Sequence, residues 1–289
     1  MLVLVQVLVI LALAPLLQGA LKQLRARLQG RPGPKVVQPY RDLVKLWSKE
    51  ALLPDGTTIV ALCAPGLALG VALTFAAVLP LTAPAVSVVD VVALVFLLAL
   101  GRFALSLAAL DMRSAFTGMA ASREMTFASL VEPTLLLALL GGAILGHGTA
   151  LTSLFGARFG SASLLAFAAF FLVMLLETAR IPIDNQETHY ELTMMHEGLT
   201  LEYSGWQLAL VSLGSYVRQL SFFVLAAMLV LPGGGLLGWC AVVVALAVAI
   251  ALVETVFAKL RLFEVPQVLT TAFILAATSV ALQLFGAAL

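Results

Sequence analysis

The chain has 289 residues, of which 62% are hydrophobic and 11% are charged, and its mean hydropathy is +1.10. A soluble domain could not bury this much apolar side chain, so the composition predicts an integral membrane protein. Sixteen basic and fifteen acidic residues leave a formal net charge of +1, which excludes nucleic-acid binding that depends on overall charge.

Long apolar runs define the predicted elements. A membrane-spanning helix needs about 20 apolar residues. Runs of this kind occur at residues 2–24, 58–80, 86–110, 125–146, 162–180, 206–231, 235–257 and 266–287. They predict an all-α integral membrane protein with about eight transmembrane helices in a single membrane domain over residues 1–289. The first run is interpreted as a retained anchor, because its positive charges follow the apolar core rather than precede it.

Basic residues are distributed unevenly among the loops. The loops after the second, fourth and sixth runs contribute only Arg158. The loop after the first run carries seven basic residues: Arg25, Arg27, Arg31, Lys35, Arg41, Lys45 and Lys49. Because cytoplasmic loops carry the excess of Lys and Arg, we expect the polar loops 25–57 and 181–205 in the cytoplasm. Both termini are then expected on the periplasmic side of a prokaryotic inner membrane.

An amphipathic helix is predicted after the first span. Apolar residues recur at helical spacing between Val36 and Trp47, while Arg41, Lys45 and Lys49 repeat at every fourth position. This pattern is typical of a helix that lies at the cytoplasmic membrane surface. Its charged face could anchor the chain to anionic lipid or dock a partner protein, and the sequence leaves both interpretations open.

Ionisable residues also fall inside the apolar runs. An ionised side chain at mid-bilayer costs about 2.5 to 3.5 kcal/mol on insertion scales, so such residues usually face a protein interior or a water-filled cavity. The residues are Asp90, Arg102, Glu132, Glu177, Arg218 and Glu254. Asp90 and Glu254 lie near span ends, where an interfacial position explains them as well as a function does. Arg102, Glu132 and Arg218 lie deeper and favour a proton path, or an ion pair that supports one.

The loop after the fifth run is strongly acidic. Residues 184–202 contain no Lys or Arg and five acids: Asp184, Glu187, Glu191, Glu197 and Glu202. Pro182 is expected to end the fifth span, and Glu187 and Glu191 are expected to share one face of a short helix. Clustered carboxylates raise one another's pKa values and titrate as a coupled set, as proton transfer requires. The competing interpretation is a solvated acidic loop.

Metal and redox-cofactor ligands are sparse. Cys63 and Cys240 stand alone in apolar runs, without the paired spacing of an iron–sulfur or zinc site. His196 and Glu197 begin an HExxH pattern, but Thr200 occupies the position of the second histidine. We therefore expect the chain itself to bind no metal and no redox cofactor.

Two long stretches resemble one family. Residues 27–50, beginning Arg27-Leu-Gln-Gly-Arg-Pro-Gly-Pro34, resemble the first cytoplasmic loop of the respiratory complex I membrane subunit at the junction with the hydrophilic arm. Residues 177–205 resemble the same family's loop between its fifth and sixth helices. With eight predicted spans in the same orientation, the resemblance covers essentially the whole chain.

Details of the second stretch favour one branch of that family. Asp184-Asn185, Glu191-Leu-Thr-Met and His196-Glu197 look like the formate hydrogenlyase subunit 4 branch, the membrane subunit of energy-converting NiFe hydrogenases. The quinone-reducing branch would have Phe-Asp after the proline, whereas this chain has Ile183-Asp184-Asn185. Quinone binding is therefore not expected.

The resemblance implies a membrane anchor and redox/ion-coupling subunit of a NiFe hydrogenase complex, one that is not catalytic alone. The NiFe centre and the iron–sulfur clusters would lie in partner subunits. The implied partners are hydrogenase large and small subunits, an iron–sulfur subunit and antiporter-like membrane subunits, all associated with the lipid bilayer.

The resemblance also implies roles for individual residues. Docking of the hydrophilic arm is expected from Arg27, Arg31, Asp42, Lys45, Lys49 and Glu50. The proton or coupling path is expected to comprise Glu124, Glu132, Glu177, Asp184, Glu187, Glu191, Glu197 and Glu202. Arg180 and Arg218 are expected to act as counter-charges.

Three alternatives remain open at this point. One is the quinone-site junction subunit of NADH-quinone oxidoreductase, or complex I. Another is a stand-alone ion transporter, although no pair of matching broken helices of the transporter kind is visible. The third has the same fold in an assembly whose large subunit lacks nickel ligands.

Overall fold

A computed structural model describes residues 1–81, 89–144, 148–155, 160–184 and 195–286. These residues form a helical bundle. Its α-helices are α1 (Leu2–Leu28), α2 (Gln38–Trp47), α3 (Ile59–Val78), α4 (Val91–Asp111), α5 (Ala115–Ile144), α6 (Ser161–Glu177), α7 (Gly205–Val230), α8 (Gly235–Val256) and α9 (Val265–Gly286). One-turn 3-10 helices occur at Leu151–Phe155, Glu197–Thr200 and Leu262–Glu264.

The expected fold class, an all-α integral membrane protein, is confirmed. Seven helical segments in the described part of the chain are long and apolar enough to cross a membrane. The remaining long apolar helix, α6, has 17 residues and so extends about 26 Å at 1.5 Å per residue. That length is at the short end of what a bilayer core of about 30 Å accepts.

Helix α7 lies at the centre of the bundle. It has the largest buried share of the seven segments, 72%, whereas α8 has 22%. Phe222 of α7 packs edge-on against Phe75 of α3 and tilted against Phe170 of α6, with ring centroids 5.2 and 6.0 Å apart. Three helices therefore meet in an aromatic core, while α8 remains on the periphery, as expected of a lipid-facing helix.

The bundle has two distinct ends. Gln6, near the start of α1, donates hydrogen bonds of 2.7 and 2.6 Å to the carbonyls of Ala76 and Leu79 at the end of α3. Gln283, near the end of α9, donates to the carbonyl of Gly141 near the end of α5. The start of α1 and the end of α9 thus lie at the same end of the bundle, called here the terminal end. Its location in the periplasm remains a prediction.

The loop end, opposite, carries α2 and the segments 48–58, 178–184, 195–204 and 257–264. Ser204 accepts a hydrogen bond from the backbone of Leu52 and donates one back, at 2.8 and 3.0 Å. Gly205 follows at φ +56°, and a side chain there would meet the backbone of Glu50. The loop after α1 and the loop before α7, which have opposite charge, are therefore locked together at this junction.

Helix α2 is amphipathic, as predicted. Pro39 is buried and the hydroxyl of Tyr40 donates to the carbonyl of Ala12 in α1, while Arg41 and Lys45 are exposed. The segment before α2 returns along α1 so closely that a side chain at Gly19 would collide with the carbonyl of Val36. Glycine at this position lets α2 dock against the bundle.

The helix boundaries differ from the predicted spans at the start of α5 and at the end of α6. Helix α5 begins at Ala115, ten residues before the predicted span, so Glu124 lies in a helix and not in a loop. Thr117, Ala120 and Glu124 are buried at helical spacing, although the polar residues between them lower the mean hydropathy. Helix α6 ends at Glu177, earlier than the predicted residue 180.

Candidate functional site

A buried arginine connects three helices near the loop end. Arg102 of α4 is 3% exposed. Its Nη2 makes a close ion pair with Oε1 of Glu177 at the end of α6, and its Nε lies 3.8 Å from Oε1 of Glu124 on α5. An isolated charge is costly to bury, so the guanidinium requires a carboxylate partner, and it has two within 4 Å.

Glu177 lies between two arginines. Its second carboxylate oxygen is 3.9 Å from Nη1 of Arg218 on α7, and the residue is 1% exposed. Helices α4, α5, α6 and α7 are thus joined by alternating positive and negative groups.

The alternation continues into the segment after α6. Asp184 accepts backbone hydrogen bonds from Met195 and His196 at 3.2 and 3.3 Å, and its other oxygen accepts from Lys259 Nζ at 3.1 Å. The imidazole of His196 extends back towards the bundle, with Nε2 3.6 Å from Glu124 Oε1 and Nδ1 3.7 Å from Asp184 Oδ2. We call this set the charge cluster: Arg102, Glu124, Glu177, Asp184, His196, Arg218 and Lys259.

Electrostatics in the loop part of the charge cluster favour ionised Asp184 and His196. Burial alone would raise the pKa of Asp184, but His196 and the ammonium of Lys259 hold it well below its usual range. Burial alone would lower the pKa of His196, but the charge of Glu124 and the contact with Asp184 raise it despite opposition from Arg218. Burial raises the pKa of the neighbouring Glu197.

A central cavity of about 90 Å³ adjoins the charge cluster. By this measure one water needs about 10 to 15 Å³, so several waters fit. The cavity wall includes four residues with a buried polar atom that has no hydrogen-bond partner among the described residues, namely Arg102 Nη1, Glu124 Oε2, His196 Nδ1 and Gln219 Nε2. Buried polar atoms are normally satisfied by protein or by ordered water. This wall therefore suits an internal water cluster.

A lateral pocket of about 340 Å³ opens on the outer side of α4 and α5. Exposed apolar side chains, among them Phe96 and Phe103, form its rim. The half-buried Glu132 and the guanidinium-bearing Arg102 complete its lining. Arg102 lines both the central cavity and this pocket, so it links the interior of the bundle to its membrane-facing side.

A second polar cluster joins α1, α7 and α8. Arg180 contacts Glu254 Oε1 at 3.1 Å and Gln219 Oε1 at 3.0 Å, and it also pairs closely with Gln18. The other oxygen of Glu254 lies 3.6 Å from Arg25. Glu254 is only 5% exposed, so its position near a span end does not make it interfacial.

The structure brings together about half of the predicted path. Glu124, Glu177, Asp184 and Arg218 belong to the charge cluster, and Glu197 lines the central cavity. Glu132 lies in the lateral pocket and Arg180 in the second cluster. Glu202 is half-buried and lines neither the cavity nor the pocket. Glu187 and Glu191 lie outside the described residues, and Asp90 accepts a hydrogen bond from Thr149 away from both cavities.

The predicted docking residues lie on the surface of the loop end. All six are exposed: Arg27, Arg31, Asp42, Lys45, Lys49 and Glu50. Their role in docking remains a prediction.

Sequence reasoning gave an incomplete account of two central members of the cluster. Arg102 was predicted only as an intramembrane charge that serves a proton path or an ion pair supporting one. Its partners were not predicted, because nothing local to α4 indicates Glu124 and Glu177, which lie 22 and 75 residues away in the sequence. His196 was considered only as a metal ligand. Its proximity to acidic residues in the same loop was the available signal.

The family described as NADH dehydrogenase matches residues 1–284 of the chain. Formate hydrogenlyase subunit 4 of Escherichia coli (strain K12) is 34% identical over 291 residues, which cover 93% of this chain and 94% of that protein. Hydrogenase-4 component C of the same organism is 36% identical over 239 residues, which cover 80% of this chain and 75% of that protein.

The fold also occurs in a solved structure. One chain of the membrane-bound sulfane sulfur reductase (MBS), an archaeal respiratory membrane complex, matches with a TM-score of 0.80. The match covers 98% of this chain and 100% of that chain at 18% identity. At this identity the likeness shows a shared fold.

Proposed function

The chain belongs to the NADH dehydrogenase family, and from this premise we propose that it is the anchor and ion-coupling subunit of a membrane-bound hydrogenase complex similar to formate hydrogenlyase. Family membership confirms the resemblance of residues 27–50 and 177–205. The relatives at 34% and 36% identity carry formate hydrogenlyase and hydrogenase names, which favours this branch.

The observation that carries the proposal is the continuity of the charge cluster. It runs from Lys259 at the loop end to Arg102, which also lines the lateral pocket beside Glu132. Each charge placed at membrane depth costs free energy, so a run of this length is poorly explained by helix packing alone. A path that passes a change of charge sideways through the membrane explains it.

The energetics of such a path are feasible. Moving one charge against roughly 150 mV costs about 3.5 kcal/mol, which corresponds to about 2.5 pKa units. A solvated carboxylate cannot change its pKa by that amount, whereas the pKa of a buried group can move by about 3 to 5 units. In this proposal, electron transfer in a docked partner alters the charge at the loop end, and the buried carboxylates respond by exchanging protons.

The redox centres of this complex are assigned to partner subunits. A NiFe centre and iron–sulfur clusters need sets of thiolate ligands, and the two cysteines, Cys63 and Cys240, stand singly on α3 and α8. The partners proposed are hydrogenase large and small subunits and an iron–sulfur subunit at the loop end. Antiporter-like subunits are proposed within the inner membrane.

Docking is proposed at the exposed charges of α2 and its flanking segments. Pro39 and Tyr40 fix α2 against the bundle, so Asp42 and Lys45 project from a rigid support. A hydrophilic arm with complementary charges would be oriented there before its buried contacts form.

Gentle detergent purification of the tagged chain from native membranes tests the proposal. Co-purified proteins are identified by mass spectrometry, and nickel and hydrogen evolution are measured on the same sample. We expect hydrogenase subunits, nickel and hydrogen evolution together.

Other outcomes would replace the proposal with a specific alternative. An NADH-oxidising module with bound quinone would indicate complex I. Hydrogenase-like partners without nickel would indicate a related assembly with different chemistry. Recovery of the chain alone, with ion transport in liposomes, would indicate a transporter.

A further inference from the structure

The imidazole of His196 lies between two carboxylates from different parts of the chain. Nε2 faces Glu124 of α5 at 3.6 Å, and Nδ1 faces Asp184 at 3.7 Å. The side chain is 13% exposed and lines the central cavity. The charge of Arg218 on α7 lowers the pKa of His196. Arg102 on α4 contacts the same Glu124 carboxylate that faces the imidazole. Glu197 is the neighbour of His196 in the chain.

The two carboxylates differ in how firmly they are held. Asp184 accepts two backbone hydrogen bonds and pairs with Lys259, so it is fixed as an anion. Glu124 has one oxygen near Arg102 and His196, while its other oxygen has no hydrogen-bond partner in the part of the chain that the structure describes. Asp184 is therefore suited to orient the imidazole, and Glu124 is suited to exchange a proton with it.

The formal charges leave one proton mobile. The permanent cations Arg102, Arg218 and Lys259 balance the carboxylates Glu124, Glu177 and Asp184. Among these eight described residues, His196 and Glu197 then share a single proton at zero net charge, while Lys22 of α1 acts on Glu197 from outside the set. A proton can move among His196, Glu197 and Glu124 without leaving an uncompensated buried charge.

We propose that His196 is a proton-relay residue that exchanges a proton with Glu124 across the central cavity. This inference rests on the proposed function and deepens it. The Nε2–H bond of the imidazolium breaks, and an O–H bond forms on Glu124. At 3.6 Å the two atoms lie just beyond direct hydrogen-bond distance and too close for a water to stand between them. The transfer therefore requires the two side chains to approach by about half an ångström, as catalytic hydrogen bonds do when they tighten. The neutral ring keeps Nδ1–H towards Asp184 and regains a proton at Nε2 from Glu197 or from cavity water.

The surroundings suit this exchange at neutral pH. Proton transfer is most efficient when the pKa of the group lies near the working pH. Burial raises the pKa of Glu197 from its ordinary value towards that range, and the charge of Glu124 and the contact with Asp184 raise the pKa of His196. A purely structural cation at this position would not need to titrate, so a lysine would serve as well.

Three variants in the intact complex separate a relay from a structural ion pair. The His196→Lys variant keeps the charge but does not titrate near neutral pH, and the His196→Gln variant keeps polarity without charge. We expect both to assemble and to lose coupled turnover by about 100-fold, the lower range for acid–base transfer. In the His196→Ala variant, added imidazole or methylimidazole should restore turnover with a pH profile that follows the pKa of the added base.

Wild-type rate and pH profile in the His196→Lys variant would overturn the relay. Failure of imidazole to rescue an assembled His196→Ala variant would also count against it. Purification of the unaltered chain without any hydrogenase subunit would instead overturn the proposed function, so the two failures are distinguishable.

A titration that needs no His196 variant provides a second test. The chain has three histidines. NMR spectra of a complex in which only this chain carries ¹⁵N-histidine therefore contain few ring-nitrogen resonances. We expect one histidine to titrate above its ordinary value. The Glu124→Gln change should lower that pKa by about one unit or more, because it removes a neighbouring negative charge. If no histidine responds to Glu124→Gln, the relay is wrong.

Discussion

The two ends of the bundle join their helices by different chemistry. At the terminal end, Gln6 links α1 to α3, and Gln283 links α9 to α5. Ser279 of α9 adds a 2.6 Å hydrogen bond to the carbonyl of Ala162 in α6. At the loop end, arginines and carboxylates make the corresponding connections, as in the contact of Arg102 with Glu177.

The difference indicates what the charges are for. Hydrogen bonds between helices in a membrane contribute about 0.6 kcal/mol on average, and neutral amides and hydroxyls are sufficient to make them. A buried ion pair is often no more stabilising than a well-packed apolar substitute. Helix packing therefore does not require the charge cluster, which supports a role in ion coupling.

The largest effect is expected from Arg102→Met. This change leaves Glu124 and Glu177 buried without the guanidinium that both contact, and loss of one partner of a buried ion pair costs about 3 to 5 kcal/mol. We expect a large fall in complex recovery and in the thermal midpoint of the solubilised complex. Adding Glu177→Gln to Arg102→Met should restore part of the loss. A midpoint equal to wild type in the single variant would contradict the importance of the pair.

Asp184→Asn should have a smaller, local effect. It removes the ion pair with Lys259 and weakens the acceptor for two backbone amides, and hydrogen bonds to charged groups are worth about 1.5 to 3 kcal/mol. Amide exchange at Met195 and His196 should accelerate by about tenfold or more, measured by hydrogen–deuterium exchange. The exposed Asp55→Asn change is the control, and equal exchange in both variants would count against the prediction.

The stability difference between wild type and Asp184→Asn should depend on pH. Because the folded-state pKa of Asp184 is lowered, its stabilisation is present above the unfolded value of about 3.9. It is lost as the pH falls through the lower folded-state value. Wild type and Asp184→Asn should therefore differ at neutral pH and converge in strong acid. A difference that persists unchanged in acid would show that the carboxylate charge is not its source.

Lys45→Glu should affect assembly rather than the fold. Lys45 is exposed on α2, so reversing its charge should reduce recovery of the hydrophilic subunits several-fold, and more so at low salt because surface charges are screened at high salt. Lys35→Glu, at an exposed position before α2, is the matched control. Equal recovery in the two variants would argue against docking at Lys45.

The smallest effect is expected at the terminal end. Gln6→Met keeps the side-chain size and removes two hydrogen bonds to α3, so at an average of about 0.6 kcal/mol for each such bond the loss should be about 1.2 kcal/mol. The thermal midpoint should fall slightly while turnover and ion movement stay normal. Loss of coupling in Gln6→Met would remove the distinction between the two ends.

Structural features set by a local sequence pattern could be predicted, whereas those set by contacts between distant residues could not. Helix α7 and its neighbours were predictable because apolar runs report the bilayer directly, and α2 because its charges repeat at helical spacing. The start of α5 was not, since the polar residues before Glu124 obscure the helix from a hydropathy average. The contacts of Arg102, and the approach of His196 to Glu124, depend on how distant helices pack, and that information is not carried by any local pattern.

The most direct test of ion coupling by the charge cluster is Glu177→Gln in proteoliposomes containing the intact complex. Hydrogen turnover and ion movement are recorded together. Glutamine keeps the size of the side chain and can still hydrogen-bond Arg102, while it removes the carboxylate. We predict that the complex assembles in reduced yield, because two buried arginines lose a carboxylate partner, and that ion movement per hydrogen falls to background in the complex that is recovered. Unchanged turnover with unchanged ion movement would contradict the role of this cluster in coupling.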